Sequence, residues 1–295
     1  MIKYDYTFGS VGEIDIKHKI AILSDVHGNV SALQAVVNDA ANEKVTDYWF
    51  LGDLIMPGPG ANNLFSILNQ INVSAYVKGN WEDCFIDVLN KEVDVDHATD
   101  IYIARLVKYQ CENLDEKHIK FIKNRPLHET KNIGNLSISL SHHLPTKNYG
   151  RDLSPTSNQD DFDRLFVQDY DIAIYAHTHQ PILRYGSNGQ LIINPGSIGQ
   201  PFSSRVKFKT DRRAQYAILE IDDQGVNDIR FKKVSYDIQE EIYDANQSKL
   251  PYVDLYQEML ETGVTHTHNL PLLQKINDKY QFREEVIAYF NLDKT

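Results

Sequence analysis

Ile20-Ala21-Ile22-Leu23-Ser24-Asp25-Val26-His27-Gly28-Asn29 begins with four apolar residues and ends with an acid, a histidine two positions on, and Gly-Asn. A short unbroken apolar run is what a strand buried on both faces presents. A strand stopping at Asp25-Val26-His27 places a carboxylate and an imidazole together past its C-terminal end. In open α/β sheets that is the edge where ligands sit. Alone the stretch decides little, because an Asp ahead of a helix is commonly a cap.

Four further apolar runs end the same way. Tyr48-Trp49-Phe50-Leu51 leads to Gly52-Asp53, and Val73-Ser74-Ala75-Tyr76-Val77 leads to Lys78-Gly79-Asn80. Leu136, Ile138 and Leu140 alternate with serines ahead of Ser141-His142-His143. Ile172-Ala173-Ile174-Tyr175-Ala176 leads to His177-Thr178-His179. Taken singly, Asp53 reads as a turn residue, Asn80 as a helix cap and His142 as a loop histidine. Five such endings in one chain, with helices falling between them, are not explained by caps.

The intervening stretches supply those helices. Val30, Leu33, Val36, Val37, Ala40 and Ala41 recur at helical spacing behind a cap at Asn29 or Ser31. A helix is expected over about 61–70, after the Pro- and Gly-rich loop 54–60, and a short one over about 159–166. Residues 81–125 read as a helical insertion beside or over the strand ends, and Asn132-Ile133-Gly134-Asn135 as a hairpin turn. A second hairpin runs over 182–193 into Asn194-Pro195-Gly196-Ser197-Ile198-Gly199-Gln200-Pro201, and strands follow at 214–221 and 229–236. The expected layout is an N-terminal arm over 1–18, an α/β domain over 19–236, and a C-terminal helical segment over 237–295 packed on it.

Composition sets the boundaries. Of 295 residues, 42% are hydrophobic and 24% charged, enough for a sizeable core. A net charge of −11 argues against general nucleic-acid binding or an anionic membrane partner. An anionic substrate stays open, because bound cations reverse the local sign of a site. Only Cys84 and Cys111 are present, so no disulfide framework is expected. No run of eighteen apolar residues and no cleavable leader is visible, and the expected compartment is the cytoplasm.

Two carboxylates, one amide and four imidazoles form a donor set without thiolate. Such a set suits manganese, iron or zinc better than calcium. Seven donors exceed one four-coordinate zinc. They suit two metal ions sharing a carboxylate, about 3.5–4 Å apart, with a hydroxide between them and phosphoryl oxygens clamped outside.

The order of the motifs, SDVHGN, LGDLIMPG, KGNWED, SHHLP and AHTHQP followed by INPGSIGQP, resembles that of the calcineurin-like metallophosphoesterases over about residues 19–235. The resemblance implies an α/β fold, a four-layer α-β-β-α sandwich with the site at the strand ends. It implies a first metal on Asp25, His27, Asp53 and His179, and a second on Asp53, Asn80, His142 and His177, bridged by Asp53. Where the family has H-G-x-P, His142 takes the ligand place and His143 the glycine place.

Two departures bear on substrate. Many phosphatases of the family carry a histidine after G-N, thought to protonate the leaving group, and Trp81 stands there; His143 or Asp83 would have to substitute. A missing acid matters most for an alkoxide and less for a nucleotide phosphate, already a weak base. Trp81 reads either as a packing residue or as a platform for a base. Arg205-Val206-Lys207-Phe208-Lys209-Thr210-Asp211-Arg212-Arg213 holds five basic residues and reads either as an anion contact or as a solvated hairpin edge, with Lys147 and Arg151 weaker examples. These features resemble the bacterial branch that splits diadenosine tetraphosphate asymmetrically to ATP and AMP. The expected partner is therefore a small-molecule nucleotide, contacted by Asn29, Trp81, His143, Arg205, Lys207 and Arg212, with homodimer formation left open. The other readings are a phosphodiesterase, a phosphoprotein phosphatase, and a non-catalytic protein-binding scaffold. Glu82 and Asp83 read as ordinary acids of a first helical turn rather than as holders of a third cation. His266 and His268, with no apolar run before them and no carboxylate expected close by, read as surface residues.

Overall fold

The computed structural model describes residues 18–292. Apart from His18, the expected N-terminal arm lies outside the described residues.

The first sheet is built from β1 (His18–Leu23), β2 (Asp47–Phe50), β3 (Val73–Tyr76), β9 (Ala214–Asp222) and β10 (Gly225–Val234), in the order β10-β9-β1-β2-β3. The second is built from β4 (His128–Ile133), β5 (Leu136–Ser141), β6 (Ile172–Ile174), β7 (Ile182–Tyr185) and β8 (Leu191–Asn194), in the order β4-β5-β6-β8-β7. β1, β2 and β3 are mutually parallel, as are β5, β6 and β8. The segments leaving five of those six strands, all but β8, carry every donor residue.

The strands have to be apolar on both sides because each sheet is covered on both. β9 shows this by its two-residue period. Ala217, Leu219 and Ile221 face the second sheet, while Ala214, Tyr216 and Ile218 face helices. Between the sheets, Ile20, Ile22, Trp49 and Val77 meet Ile138, Leu140, Ile174 and Ile193 in one buried core. This is the expected four-layer sandwich.

Its outer layers are unequal. The first sheet is covered by α1 (Val30–Asn42), α2 (Asn62–Leu68) and the helices of the insertion, α3 (Asn80–Leu89), α4 (Ala98–Asn113) and α5 (Glu116–Lys123). The second sheet is covered by α6 (Gln159–Asp163) and loops, through Leu144, Leu153, Phe162 and Leu165. α6 stops short of the expected 166, because Leu165 and Phe166 turn their N–H groups back onto Phe162 and Asp163. A 3₁₀ turn lies at Val206–Phe208.

Four C-terminal helices follow: α7 (Ile238–Gln247), α8 (Val253–Thr262), α9 (Leu270–Tyr280) and α10 (Phe282–Phe290). α9 and α10 lie against α4, and α7 lies against α1. Asn277 donates to the Ala98 carbonyl at 3.1 Å, and Arg105 pairs with Glu285 at 3.0 Å. Among the described residues, no helix is long and apolar enough to cross a membrane.

Candidate metal centre

Asp25, His27, Asp53, His177 and His179 all have positive φ, between 52° and 64°. A left-handed backbone costs a non-glycine residue about 1–2 kcal/mol. Such strain persists only where the surroundings over-determine it, and clustering marks a functional site. Here the surroundings are neighbouring loops that go on pairing after the strands end. Asp25 N–H donates to Gly52 O at 3.0 Å, His27 N–H to Asp53 O at 2.9 Å, and Gly28 N–H to Leu54 O at 2.9 Å. On the other flank, Ile198 and Gly199 donate to Ser24 O and Asp25 O at 3.1 and 2.9 Å. The approach is close enough to need glycine, since a Cβ at Gly199 would lie 2.0 Å from Val26 O.

The pairing gathers the seven donors into two touching groups. Asp25, His27, Asp53 and His179 form one, and Asp53, His142 and His177 form the other, each with donor atoms within 4.8 Å of one another. In the first, His179 Nε2 lies 3.2 Å from Asp25 Oδ1 and 3.1 Å from His27 Nε2. In the second, His142 Nε2 lies 3.3 Å from Asp53 Oδ2. Asn80 Oδ1 joins this group, 2.8 Å from His177 Nδ1 and 3.1 Å from His142 Nε2. Asp53 belongs to both, and its Oδ2 also stands 3.7 Å from His27 Nε2.

The ring orientations are fixed from behind. His27, His142 and His179 donate Nδ1–H to the carbonyls of Met56, Leu51 and Gln200 at 2.9, 2.6 and 2.7 Å. His177 is reversed, donating Nε2–H to Gly150 O at 3.0 Å. A carbonyl only accepts, so each outer nitrogen carries the proton and each inner one faces the shared centre. This is the support that metal-ligating histidines use.

Buried carboxylates need compensation. Neither oxygen of Asp25 makes a hydrogen bond, although both are buried. Burial raises the Asp25 pKa, and the charges of His179, His142 and His27 outweigh it, holding the acid well below its usual range. Burial likewise lowers His142, but Asp53 and Asp25 overcome it and lift the imidazole to about 10. His179 is raised by Asp25 against the same burial. His27 and His177 follow burial instead, down to about 4 and about 3. The protein groups alone thus call for positive charge beside both carboxylates. The residues fit a pair of cations: unsatisfied carboxylate oxygens, inward imidazole nitrogens and an amide oxygen, with one acid common to both positions.

Glu82 is the support that sequence reading passed over. It is fully buried, and its oxygens accept N–H groups from Asp53, Leu54 and Gly79 at 2.8, 2.8 and 2.7 Å. Burial and the charge of Asp53 push it up to about 7, against three donors that favour its ionised form. With both oxygens committed, it braces the loop rather than holding a third cation. Asp83 is committed too, to Lys78 and to Asn148, the latter at 2.7 Å.

Beside the centre lies a cavity of about 430 Å³. Asn80, His177 and His179 line its inner end, with Trp81, Cys84 and Ile103 from α3 and α4 and Gln200, Phe202 and Arg212 from the loop after β8. The far wall is Met259, Gly263, Thr265, Thr267 and His268, from the end of α8 and the loop after it. His268 of the second H-x-H is exposed, as the sequence reading has it; what changes is its surroundings. His268 lines the cavity, and His266 has an acid near after all, Glu258 at 2.8 Å, one helical end away. No periodicity marks that loop, so nothing in the sequence singled it out.

The expected substrate contacts separate. Trp81 lines the cavity with its ring edge-on to His27, 5.8 Å between centroids, and Arg212 lines it too. Asn29 does not. Its Oδ1 caps α1 by accepting Ala32 N–H at 2.9 Å and its Nδ2 donates to Tyr236 OH at 3.1 Å, so a role on substrate is replaced by a helix cap. His143 is fully buried behind His177, beside Asp152 at 3.3 Å, and lines no part of the cavity. Arg205 and Lys207 are exposed at the 3₁₀ turn and are not among the lining residues. Lys147 pairs with Asp152 at 2.8 Å. The basic stretch therefore contributes one residue to this cavity, because the turn carries the others outward.

Comparison with known proteins agrees with this construction. Residues 19–224 match the family model for the calcineurin-like phosphoesterase superfamily domain. The uncharacterised protein MJ0912 of Methanocaldococcus jannaschii is 28% identical over 254 residues, 80% of this chain and 95% of that protein. Hypothetical protein PH1004 from Pyrococcus horikoshii superposes with a TM-score of 0.68 at 18% identity, covering 84% of this chain and 99% of the other. A metallophosphoesterase from Sphaerobacter thermophilus superposes at 0.61 and 24% identity, covering 83% and 100%.

Proposed function

The chain belongs to the calcineurin-like phosphoesterase superfamily, and on that premise we propose that it is a two-metal hydrolase of nucleotide phosphoanhydrides, with diadenosine tetraphosphate split to ATP and AMP as its leading substrate. The observation that carries the two-metal part is Asp53, common to both donor groups. Asp25, His27, Asp53 and His179 would hold one ion, and Asp53, Asn80, His142 and His177 the other. Manganese and iron suit the donors best, and zinc is compatible. When bound, such ions supply Lewis acidity for activating water and neutralising phosphoryl charge.

The chain's own residues do the positioning. The four backbone carbonyls aim the imidazoles, Glu82 fixes the Asp53 loop, and the first turn of α3 sets Asn80 and Trp81 beside the centre. Two features favour a nucleotide over a phosphoprotein. The cavity has the size of a small-molecule site and is walled by the loop after α8. A flat indole stands at its inner end, suited to stacking on a base. The leaving group also fits, since Asp83 and His143 are both engaged away from the cavity and a phosphate leaving group needs little help from an acid.

Manganese-loaded protein incubated with diadenosine tetraphosphate tests the reading. ATP and AMP in equal amounts support it. Two ADP, or no turnover, argues against this substrate. Good turnover of an aryl phosphodiester with poor turnover of dinucleotides favours the phosphodiesterase reading instead.

A further inference from the structure

Arg212 is nine-tenths buried, yet it has no ion-pair partner among the described residues. Its Nη1 donates to the carbonyl of Pro201 at 2.9 Å and to that of Lys209 at 3.4 Å, and its Nε has no hydrogen-bond partner. The adjacent acid, Asp211, is taken by Arg213 and Lys233, each at 2.8 Å. A buried guanidinium without a counter-charge is costly, and it becomes favourable when an anion arrives.

The surroundings are built to keep it there. A Cβ on Gly263 would lie 2.4 Å from Arg212 Nη1, so glycine at the end of α8 leaves the guanidinium its room. The loop beyond is pinned. Thr99 Oγ1 donates to Thr267 O at 2.7 Å, and His266 pairs with Glu258. The hydroxyl residues Thr265 and Thr267 line the same cavity. One cavity is thus lined by metal donors, by one buried cation and by threonine hydroxyls.

We propose that Arg212 is a second anion subsite, which takes the phosphate adjacent to the one engaged at the metal donors. It would make the protein selective for substrates with a phosphate–phosphate linkage over monoesters and simple diesters. The wall of Thr265, Thr267 and His268 then receives what lies beyond that second phosphate. The subsite rests on the phosphoanhydride reading above and deepens it by assigning a holder to the second phosphate. A guanidinium can meet a phosphate with two parallel hydrogen bonds, which an ammonium cannot copy.

Titration calorimetry of manganese-loaded protein with pyrophosphate and with orthophosphate tests this. Wild type should bind pyrophosphate about 10- to 100-fold more tightly than orthophosphate, the worth of a charge-assisted pair. Arg212→Gln should collapse the ratio toward one, and Arg212→Lys should keep part of it. Gly263→Ala, which leaves the charge but crowds it, should lower the ratio as well. Metal content and melting temperature, read on each variant, separate loss of the subsite from loss of the fold. An unchanged ratio in a folded, metal-loaded Arg212→Gln protein overturns the proposal, as does a wild-type ratio near one. A preserved ratio with no nucleotide turnover would instead overturn the substrate reading and leave the subsite standing.

Discussion

Asp53 Oδ1 accepts the backbone N–H of Trp81 at 2.8 Å, so the carboxylate common to both donor groups is held by the first turn of the helix that supplies Asn80. Its other oxygen is left facing His142 and His27. Asp53→Asn should keep the first contact and remove the charge from both groups. Metal content is expected to fall below one ion per chain, with kcat down about 10³-fold or more, since metal clamping supplies several kcal/mol of transition-state stabilisation. Asp25→Asn touches one group and should retain more metal. Elemental analysis of both variants decides this, and two ions kept in Asp53→Asn would refute a shared ligand.

Glu82 accepts three buried N–H groups. Glu82→Gln turns one acceptor into a donor that faces an N–H. An unsatisfied buried group costs about 1–3 kcal/mol. A lower denaturation midpoint should therefore appear together with reduced metal occupancy. A variant equally stable and fully loaded would show that the brace is dispensable.

Gly79 lies against Asp53, and a Cβ there would stand 2.1 Å from Asp53 Oδ1. Its φ is ordinary, so the effect of Gly79→Ala would be steric. The expected outcome is a marked loss of activity and of metal at both positions, with secondary structure by circular dichroism little changed.

Trp81 follows Gly79-Asn80, the place where many phosphatases of the family carry a histidine. Trp81→His should raise turnover of an ester with an alkoxide leaving group relative to a nucleotide, by up to about 10²-fold as general acids do. Trp81→Ala should raise the nucleotide KM. Parallel kinetics on the two substrates would show both, and a fall on both alike would mark Trp81 as a packing residue.

Away from the site, hydrogen bonds from Lys232 and Arg230 lower the Glu43 carboxyl from 4.5 to about 2. A depressed carboxylate stabilises fully above its unfolded pKa and loses that contribution as pH falls through the folded one. The window here runs from about pH 4.5 down to about 2. The side chain stays 23% exposed at the protein surface, so solvent screening keeps the effect small. Urea midpoints at pH 6, 4 and 3 should fall more steeply for wild type than for Glu43→Gln, and parallel curves would remove Glu43 from the account.

The donor residues could be read from the sequence because buried strands announce themselves as apolar runs and the chemistry begins directly after them. Asp25, Asp53 and His177 each follow such a run by one or two residues. Asn29 and His143 carry the same local signal, yet one caps a helix and the other lies behind a ligand. Which way a loop residue points is decided by neighbouring loops, and those meet only in the fold. Glu82 looked like an ordinary first-turn acid because its three partners come from β2's loop and its own helix start. The wall at Thr265–His268 was invisible for a related reason. It is brought to the cavity by helix packing on α4, and packing of that kind leaves no mark on the loop it positions.

Each donor group draws on both sheets. Asp25, His27, Asp53 and Asn80 leave the first, while His142, His177 and His179 leave the second. Two cations seated here would act as rivets through the sandwich, and the layers could not part at this end without releasing them. Binding to the folded form alone raises its stability by mass action. A cell short of metal would therefore lose more than turnover, since the same shortage would slacken the protein and open it to proteolysis from the end that does the chemistry.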